Sequence, residues 1–269
     1  MFAMEHVDVS ASVVLYRDYE TPVMMIESLE ENTAASLSKA IYVIDNSNIG
    51  NDKKLLKDRA AFVQKINIYP DVVYIDAQDN LGFGKANNLA LQRANSDYHV
   101  FINPDIVFVE DTLSILFEYM QGNPDVGMVI PRMIDENGNL QFVYRQEVTV
   151  IDGLNRTLLR GIMKKRAAKH SMINMDYTKP FAVPFGQGSF LFGQTSLLKD
   201  LGGFDDRYFM YLEDADLCKQ VNQKSKLMYV PYSTVIHKWE KGSHRNIYLM
   251  ATHIRSYYAY FRKWGLKFL

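Results

Sequence analysis

The residues best suited to chemistry lie in one short run, Gly202 to Cys218, reading GGFDDRYFMYLEDADLC. Aromatic side chains crowd in ahead of the acids Glu213, Asp214 and Asp216. Rings stack on pyranose faces and carboxylates take hydroxyl protons, so an aromatic approach to clustered acids suits a sugar. Tyr211 and Glu213 then stand on the side of an incoming hydroxyl. The same acids would also fit the first turn of any helix, where the dipole favours negative charge. A second run, Phe101-Ile102-Asn103-Pro104-Asp105, sets a carboxylate just past an apolar strand and behind a proline. That placement suits a hard divalent cation, Mg2+ or Mn2+, bound to phosphate oxygens, although Asn-Pro-Asp is also an ordinary turn composition. His237 closes another apolar run, and a lone histidine at a strand end is more often structural than a ligand.

These groups need elements to hold them. Short apolar runs alternate with helical patterns through the first half, the mark of βαβ units and a mainly parallel sheet. Strands are expected at Val9–Tyr16, Ile41–Ile44, Val72–Ile75, Tyr98–Ile102 and Val126–Ile130. Helices are expected from Thr21, as N-cap before Pro22, to about Glu30, and over Asp52–Lys65, Lys85–Ala94 and a stretch after Asp111. Asp45, Asn80 and Asp105 then fall at or just past strand ends, where open α/β sheets bind ligands. Together they would form the floor of a nucleotide site, though Asp and Asn also favour turns and caps on their own account. The loop Asn80-Leu81-Gly82-Phe83-Gly84-Lys85 allows close backbone approach and opens a helix whose N-terminus favours an anion. It has neither a Walker lysine-serine pattern nor the three-glycine dinucleotide fingerprint. Beyond residue 130 the rhythm changes: a hairpin turning at Glu136-Asn137-Gly138, a basic stretch at 155–170, strand-like Phe190–Phe192, a helix over Glu213–Asn222, strand-like Val230–His237 and a long terminal helix over Asn246–Trp264.

The bulk numbers narrow the class. In 269 residues, apolar types make up 48% and charged types 23%, an ordinary globular mixture with a net charge of -1. That balance gives no pull toward nucleic acid. The single cysteine fits a reducing compartment, the first ten residues lack a signal-peptide layout, and no run approaches the roughly 18 apolar residues of a membrane span. The expectation is one cytoplasmic domain over 1–269, with a nucleotide-binding half to about 130 and an acceptor-binding half from about 131.

Four passages in order carry a family likeness: Ile44-Asp45-Asn46-Ser47, Asn80 through Asn88 (NLGFGKANN), Asn103-Pro104-Asp105-Ile106, and Gly202 through Leu217. With them the chain, from Val9 to about Trp264, resembles glycosyltransferase family 2, and within it the bacterial rhamnosyltransferase-like enzymes of cell-surface polysaccharide synthesis. The resemblance implies an α/β nucleotide-diphospho-sugar transferase fold of GT-A type, with a Rossmann-like, mainly parallel sheet, and a single displacement with inversion. By position, Asp45 would meet the base or ribose beside the backbone of Leu15 and Tyr16, and Asn80 and Lys85 would line the nucleotide side. Asp105 falls on the last acid of the family's Asp-x-Asp motif, His237 on a histidine that completes the metal site, and Asp214 on the base. Gln187, Gly188 and Ser189 would lie near the donor sugar. The first acid of Asp-x-Asp is Asn103 here, so the metal would rest on Asp105, His237 and the diphosphate. The Gln-x-x-Arg-Trp motif of processive members is absent, which favours one or a few transfers. A catalytically silent nucleotide-sugar-binding module, or a nucleotidyltransferase, would share the front half. The base beside a metal site counts against the first, the missing phosphate loop against the second.

The segment 155–170 carries Arg156, Arg160, Lys164, Lys165, Arg166 and Lys169 without an acid, with Leu158, Leu159, Ile162 and Met163 interleaved. Together with the aromatic and cationic terminal helix it reads as a surface that lies on an anionic membrane, at the inner face of the cell membrane, near a saccharide or lipid-linked saccharide acceptor.

Overall fold

A computed structural model describes residues 5–157, 164–238 and 247–268. The first half runs β1 (Val7–Leu15), α1 (Thr21–Asn32), β2 (Lys39–Asp45), α2 (Lys53–Ile66), β3 (Val72–Asp76), α3 (Phe83–Arg93), β4 (Ser96–Ile102), β5 (Ile106–Phe108), α4 (Thr112–Gly122) and β6 (Val126–Ile134). Then come β7 (Tyr144–Arg145), α5 (Val150–Thr157), α6 (Lys164–His170), β8 (Phe181–Ala182), β9 (Phe185–Gly186), β10 (Phe190–Gln194), α7 (Thr195–Asp200), α8 (Glu213–Lys224), β11 (Lys226–His237) and α9 (Ile247–Trp264).

The main sheet has the order β3-β2-β1-β4-β10-β6-β11-β5, with β8 alongside β11. The strands β3, β2, β1 and β4 are mutually parallel, β10 runs antiparallel between β4 and β6, and β11 is parallel to β6. Side-chain alternation explains how helices cover both faces. From β2, Ile41 and Val43 join the core that holds Phe62 and Ile66 of α2, while Ala40, Tyr42 and Ile44 meet Ala86 and Ala90 of α3 and Ala94 just past its end. These small side chains on one face let α3 lie close to the sheet. A buried polar seam runs nearby: the His99 ring contacts Ser10 and Ser12, and Ser12 donates to Asn87 of α3. Burial first, and then the charge of Lys199, push His99 down to about 3, so it is neutral at physiological pH.

Several local expectations need correction. Thr21 is the first residue of α1 rather than its cap; Glu20 holds the cap position without a side-chain bond, and Asp18 accepts from the N–H groups of Glu20 and Thr21 instead. The turn near Gly138 forms, but the chain returns along β6 only as the bridge Ile134↔Leu140, after which β7 leaves to pair with β9. The short strand β5 has no sequence signal because its three residues are ordered by pairing with β11.

Register brings the polar groups to one edge. Asp45 ends β2 opposite Leu15 of β1 and Asp76 of β3. Because β10 is antiparallel and aligns Phe190 with Ile102, its entry residues Gly188 and Ser189 arrive beside Asn103 at the exit of β4. His237 pairs with Ile106, which draws the end of β11 against Asp105.

Candidate active site

At the end of β1, Tyr16 exposes half of its surface beyond the buried Leu15 and offers a ring, with the Arg17 guanidinium 5.5 Å from its centroid. Asp45 differs from expectation. It is fully buried; its carboxylate accepts from Tyr19, Tyr74 and the Ser47 N–H and forms an ion pair with Arg59, each within 3.0 Å. Burial and then Asp45 itself raise the Tyr74 hydroxyl well above its ordinary value, so Tyr74 stays a donor. Asp45 therefore holds the floor together from beneath and braces the loop above it. Asn46, quoted in the sequence only as part of a motif, is buried and spans the gap to the glycine loop. It donates to Asn80 and the Gly82 carbonyl and accepts from the Leu81 N–H. Asn80 in turn accepts from the Gly82 N–H, and Lys85 is exposed on the first turn of α3.

The glycine loop is locked to the acidic run. Gly82 has φ +83°, and a Cβ there would lie 2.1 Å from the Phe209 carbonyl oxygen, which accepts from the Phe83 N–H. Only glycine fits both constraints. Asn88 clamps the Phe204 backbone with its amide, donating to the carbonyl and accepting from the N–H.

The acids divide by environment. Tyr211 and Leu212, immediately before α8, have φ of +71° and +67°, a left-handed pair of non-glycine residues costing on the order of 1–3 kcal/mol each. This kink aims the next two residues. Asp214 accepts from the Gly188 N–H at 3.0 Å, and a Cβ on Gly188 would press against Asp214 and Phe83. Glu213 is buried with one carboxylate oxygen unpartnered; burial, then the neighbouring Asp214, push its pKa well up, so it is protonated at neutral pH. Asp216 does not belong to this cluster. It points to α9, accepting from Tyr208, Gln220, Lys263 and Trp264. Tyr211 lies against His253 of α9, the rings tilted by 37° with centroids 4.5 Å apart.

At the exit of β4, the Asn103 N–H donates to the Ser189 carbonyl, which ties Asn103-Pro104-Asp105 to the Gly188 that holds Asp214. Asp105 Oδ2 lies 3.4 Å from His237 Nε2, and Asp105 Oδ1 is buried without a hydrogen-bond partner. A carboxylate oxygen left unsatisfied beside an imidazole nitrogen fits a divalent cation. Among the described residues no three His, Cys, Asp or Glu side chains converge as a metal cage, so these two groups leave coordination positions for oxygens of another molecule. Next to them opens a cleft of about 620 Å3, lined by Gln141, Phe142, Arg145, Ala168, Gln187 and Lys238 among others.

The basic segment is only partly as expected. Arg166 is half-buried and pairs with Asp152 at 2.7 Å and with Thr149, so it is not offered to a membrane. Arg160, Leu158, Leu159, Ile162, Met163 and residues 239–243 lie outside the described residues, as do the side chains of Arg156 and Lys164.

An open sheet gathers its polar groups at one edge, with buried Glu213 and half-buried Asp214 beside the strand exits, and this is the GT-A fold of solved glycosyltransferases. The mannosyltransferase PcManGT of Pyrobaculum calidifontis, solved with GDP-Man and Mn2+, superposes with a TM-score of 0.60 at 16% identity, covering 97% of this chain and 66% of that one. S. aureus TarS with UDP-GlcNAc gives 0.59 at 18% identity, over 88% of this chain and 60% of that one. The profile of the family described as "Glycosyl transferase family 2" matches residues 13–202, and the chain belongs to that family. Among its relatives, the rhamnosyltransferase WbbL of Escherichia coli K12 is 28% identical over 219 residues, 78% of this chain and 76% of that protein. The N-acetylglucosaminyl-diphospho-decaprenol L-rhamnosyltransferase of Mycobacterium tuberculosis is 28% identical over 207 residues, 71% of this chain and 67% of that protein.

Proposed function

We propose that this glycosyltransferase moves a sugar with inversion from a nucleotide-diphospho-sugar to a saccharide or lipid-linked saccharide acceptor in cell-surface polysaccharide synthesis. Rhamnose from dTDP-rhamnose is the donor we favour, with a UDP-linked hexose as the alternative; the names of the two relatives support the first. The observation that carries the reading is the link from Asp214 through Gly188 and Ser189 to Asn103 and Asp105, which makes the base and the diphosphate side one hydrogen-bonded edge.

In this reading Tyr16 stacks on the base, the loop braced by Asp45 and Asn80 takes the ribose, and Lys85 lies on the phosphate approach. Gln187 and Gly188 border the donor sugar, with Asn103 behind them. Asp105 and His237 would hold Mg2+ or Mn2+, which when bound would neutralise charge on the diphosphate. Asp214 takes the proton of the acceptor hydroxyl as that oxygen bonds to the anomeric carbon. The bond from that carbon to the diphosphate breaks on the opposite face, so the configuration inverts and a nucleoside diphosphate leaves. Neutral Glu213 donates a hydrogen bond to the acceptor, and Tyr211 supplies an apolar wall. The protein works at the inner face of the cell membrane, held there through its basic surface.

Nucleotide release from a panel of dTDP- and UDP-sugars tests this. Release of nucleoside diphosphate should need a divalent ion, stop with chelator, and be lost in Asp105→Ala. Asp214→Asn should bind donor within a few-fold of the original while turnover falls about a hundredfold or more, the scale of general-base loss. Near-normal turnover in Asp214→Asn would remove the base assignment, and pyrophosphate as product would mark a nucleotidyltransferase.

A further inference from the structure

His237 is held by one side chain at two points. Gln141 Nε2 donates to the His237 carbonyl at 2.6 Å, and Gln141 Oε1 lies 2.8 Å from His237 Nδ1. A carbonyl oxygen can only accept, so the amide has one orientation here, with its NH2 on the carbonyl and its oxygen on the ring. An oxygen facing Nδ1 requires a proton on that nitrogen. In the neutral ring Nε2 then carries the lone pair, and Nε2 is the atom that faces Asp105 Oδ2 at 3.4 Å. In that tautomer two acceptors face each other, an arrangement that suits a cation between them. The backbone keeps Gln141 in position: its N–H donates to the Met133 carbonyl, and the bridge Ile134↔Leu140 closes the hairpin just before it.

We infer that Gln141 is the positioning residue of the metal corner, selecting the tautomer of His237 that presents Nε2 to a divalent ion. A ligating histidine oriented through its other ring N–H is a recurring arrangement, and loss of such a partner lowers metal affinity roughly 10–100-fold. Here the partner comes from the hairpin at 135–141 while the ligands come from β11 and the exit of β4. Gln141 also lines the 620 Å3 cleft, which places the contact setting the ring within reach of whatever fills that cleft.

The inference rests on Asp105 and His237 being the ion's holders, and its test separates the two ideas. In the metal-free protein, 15N NMR of the imidazoles, with His237 assigned through His237→Ala, should show the Nδ1–H tautomer. Gln141→Met, which can satisfy neither contact, should lose that signature and bind Mn2+ roughly 10–100-fold more weakly in the presence of dTDP or UDP, measured by calorimetry. Gln141→Glu, which keeps an oxygen opposite Nδ1, should retain the tautomer. Gln141→Asn, too short to reach both groups, replaces the methionine variant if circular dichroism shows that it does not fold. A folded Gln141→Met with the original tautomer and Mn2+ affinity overturns the inference. Unchanged Mn2+ affinity in His237→Ala would sink the metal reading alone, and the NMR signature would still decide the role of Gln141.

Discussion

Glu213 is buried against Gly84 and next to the Asp214 carboxylate, which raises its pKa above the ordinary 4.5. The folded protein then keeps a proton that the unfolded chain releases, so stability should fall as pH rises above about 4.5, until the buried group itself ionises. Glu213→Gln should flatten that slope and be the more stable protein at pH 8, as read from urea midpoints between pH 5 and 9. Parallel curves for the two proteins would show that Glu213 is already charged in the fold. Such an environment is hard to read from residue types. Asp105 stands out in the sequence as an acid just past an apolar strand and Asp214 as part of an acid cluster behind aromatics, while His237 gains its role only from the family resemblance. The partners that decide Asp45, namely Tyr19, Arg59 and Tyr74, arrive from a loop, a helix and a strand, and no local pattern announces them. Gln141 is quieter still, a glutamine in a short polar turn whose importance exists only once β11 ends beside it.

The terminal helix shows what the sequence conveys at the scale of elements. Its length and aromatic content are legible, while the face it buries is not. The structure fastens α9 to the first turn of α8 through Lys263 and Trp264 on Asp216, and to the loop before it through the Lys263–Asp205 pair and the Ser256–Met210 bond. Burial pushes Asp205 up, but Lys263 and Arg207 outweigh it and hold the group at about 2, so this fastening persists from neutral pH into strong acid. Lys263→Met strands a carboxylate with no exposure at all, and unfolding should become easier by about 3 kcal/mol, the lower end for an orphaned buried charge because Tyr208, Gln220 and Trp264 remain. Urea denaturation measures this directly, and a midpoint equal to that of the unaltered protein would mean that those three donors suffice. The parallel strands are legible for a different reason: each is long enough to show an apolar run before any partner is known. Short β5, β7, β8 and β9 exist only through partners far along the chain.

Taken whole, the molecule collects on one side two segments that look separate in sequence. The Val150 N–H donates to the Lys267 carbonyl, and Gly153 lies so close to Tyr257 that a Cβ would come within 2.9 Å of its ring. On the outer face of α9, Met250, Ile254 and Tyr258 stand exposed in one row, flanked by exposed Arg255 and Arg262, and exposed Lys165 and Lys169 lie on α6. No helix of the described residues is long and apolar enough to cross a membrane. Each cation near an anionic leaflet contributes about 1 kcal/mol and fades within a Debye length. The protein should therefore co-sediment with anionic vesicles, not neutral ones, and be released by salt and by charge reversal at Lys165, Lys169, Arg255 and Arg262. Wild-type protein left in the supernatant with anionic vesicles at low salt would defeat this. The sheet order carries a further consequence, for how such enzymes can be recombined. Although the rhythm of the sequence changes near residue 130, β10 from the second half of the chain sits between β4 and β6 of the first. The halves are interleaved, not abutted. A chimera that joins the front of this protein to the back of a relative at the turn near Gly138 would have to match every hydrogen bond and side chain along both edges of that inserted strand, so acceptor preference cannot be transplanted as a cassette.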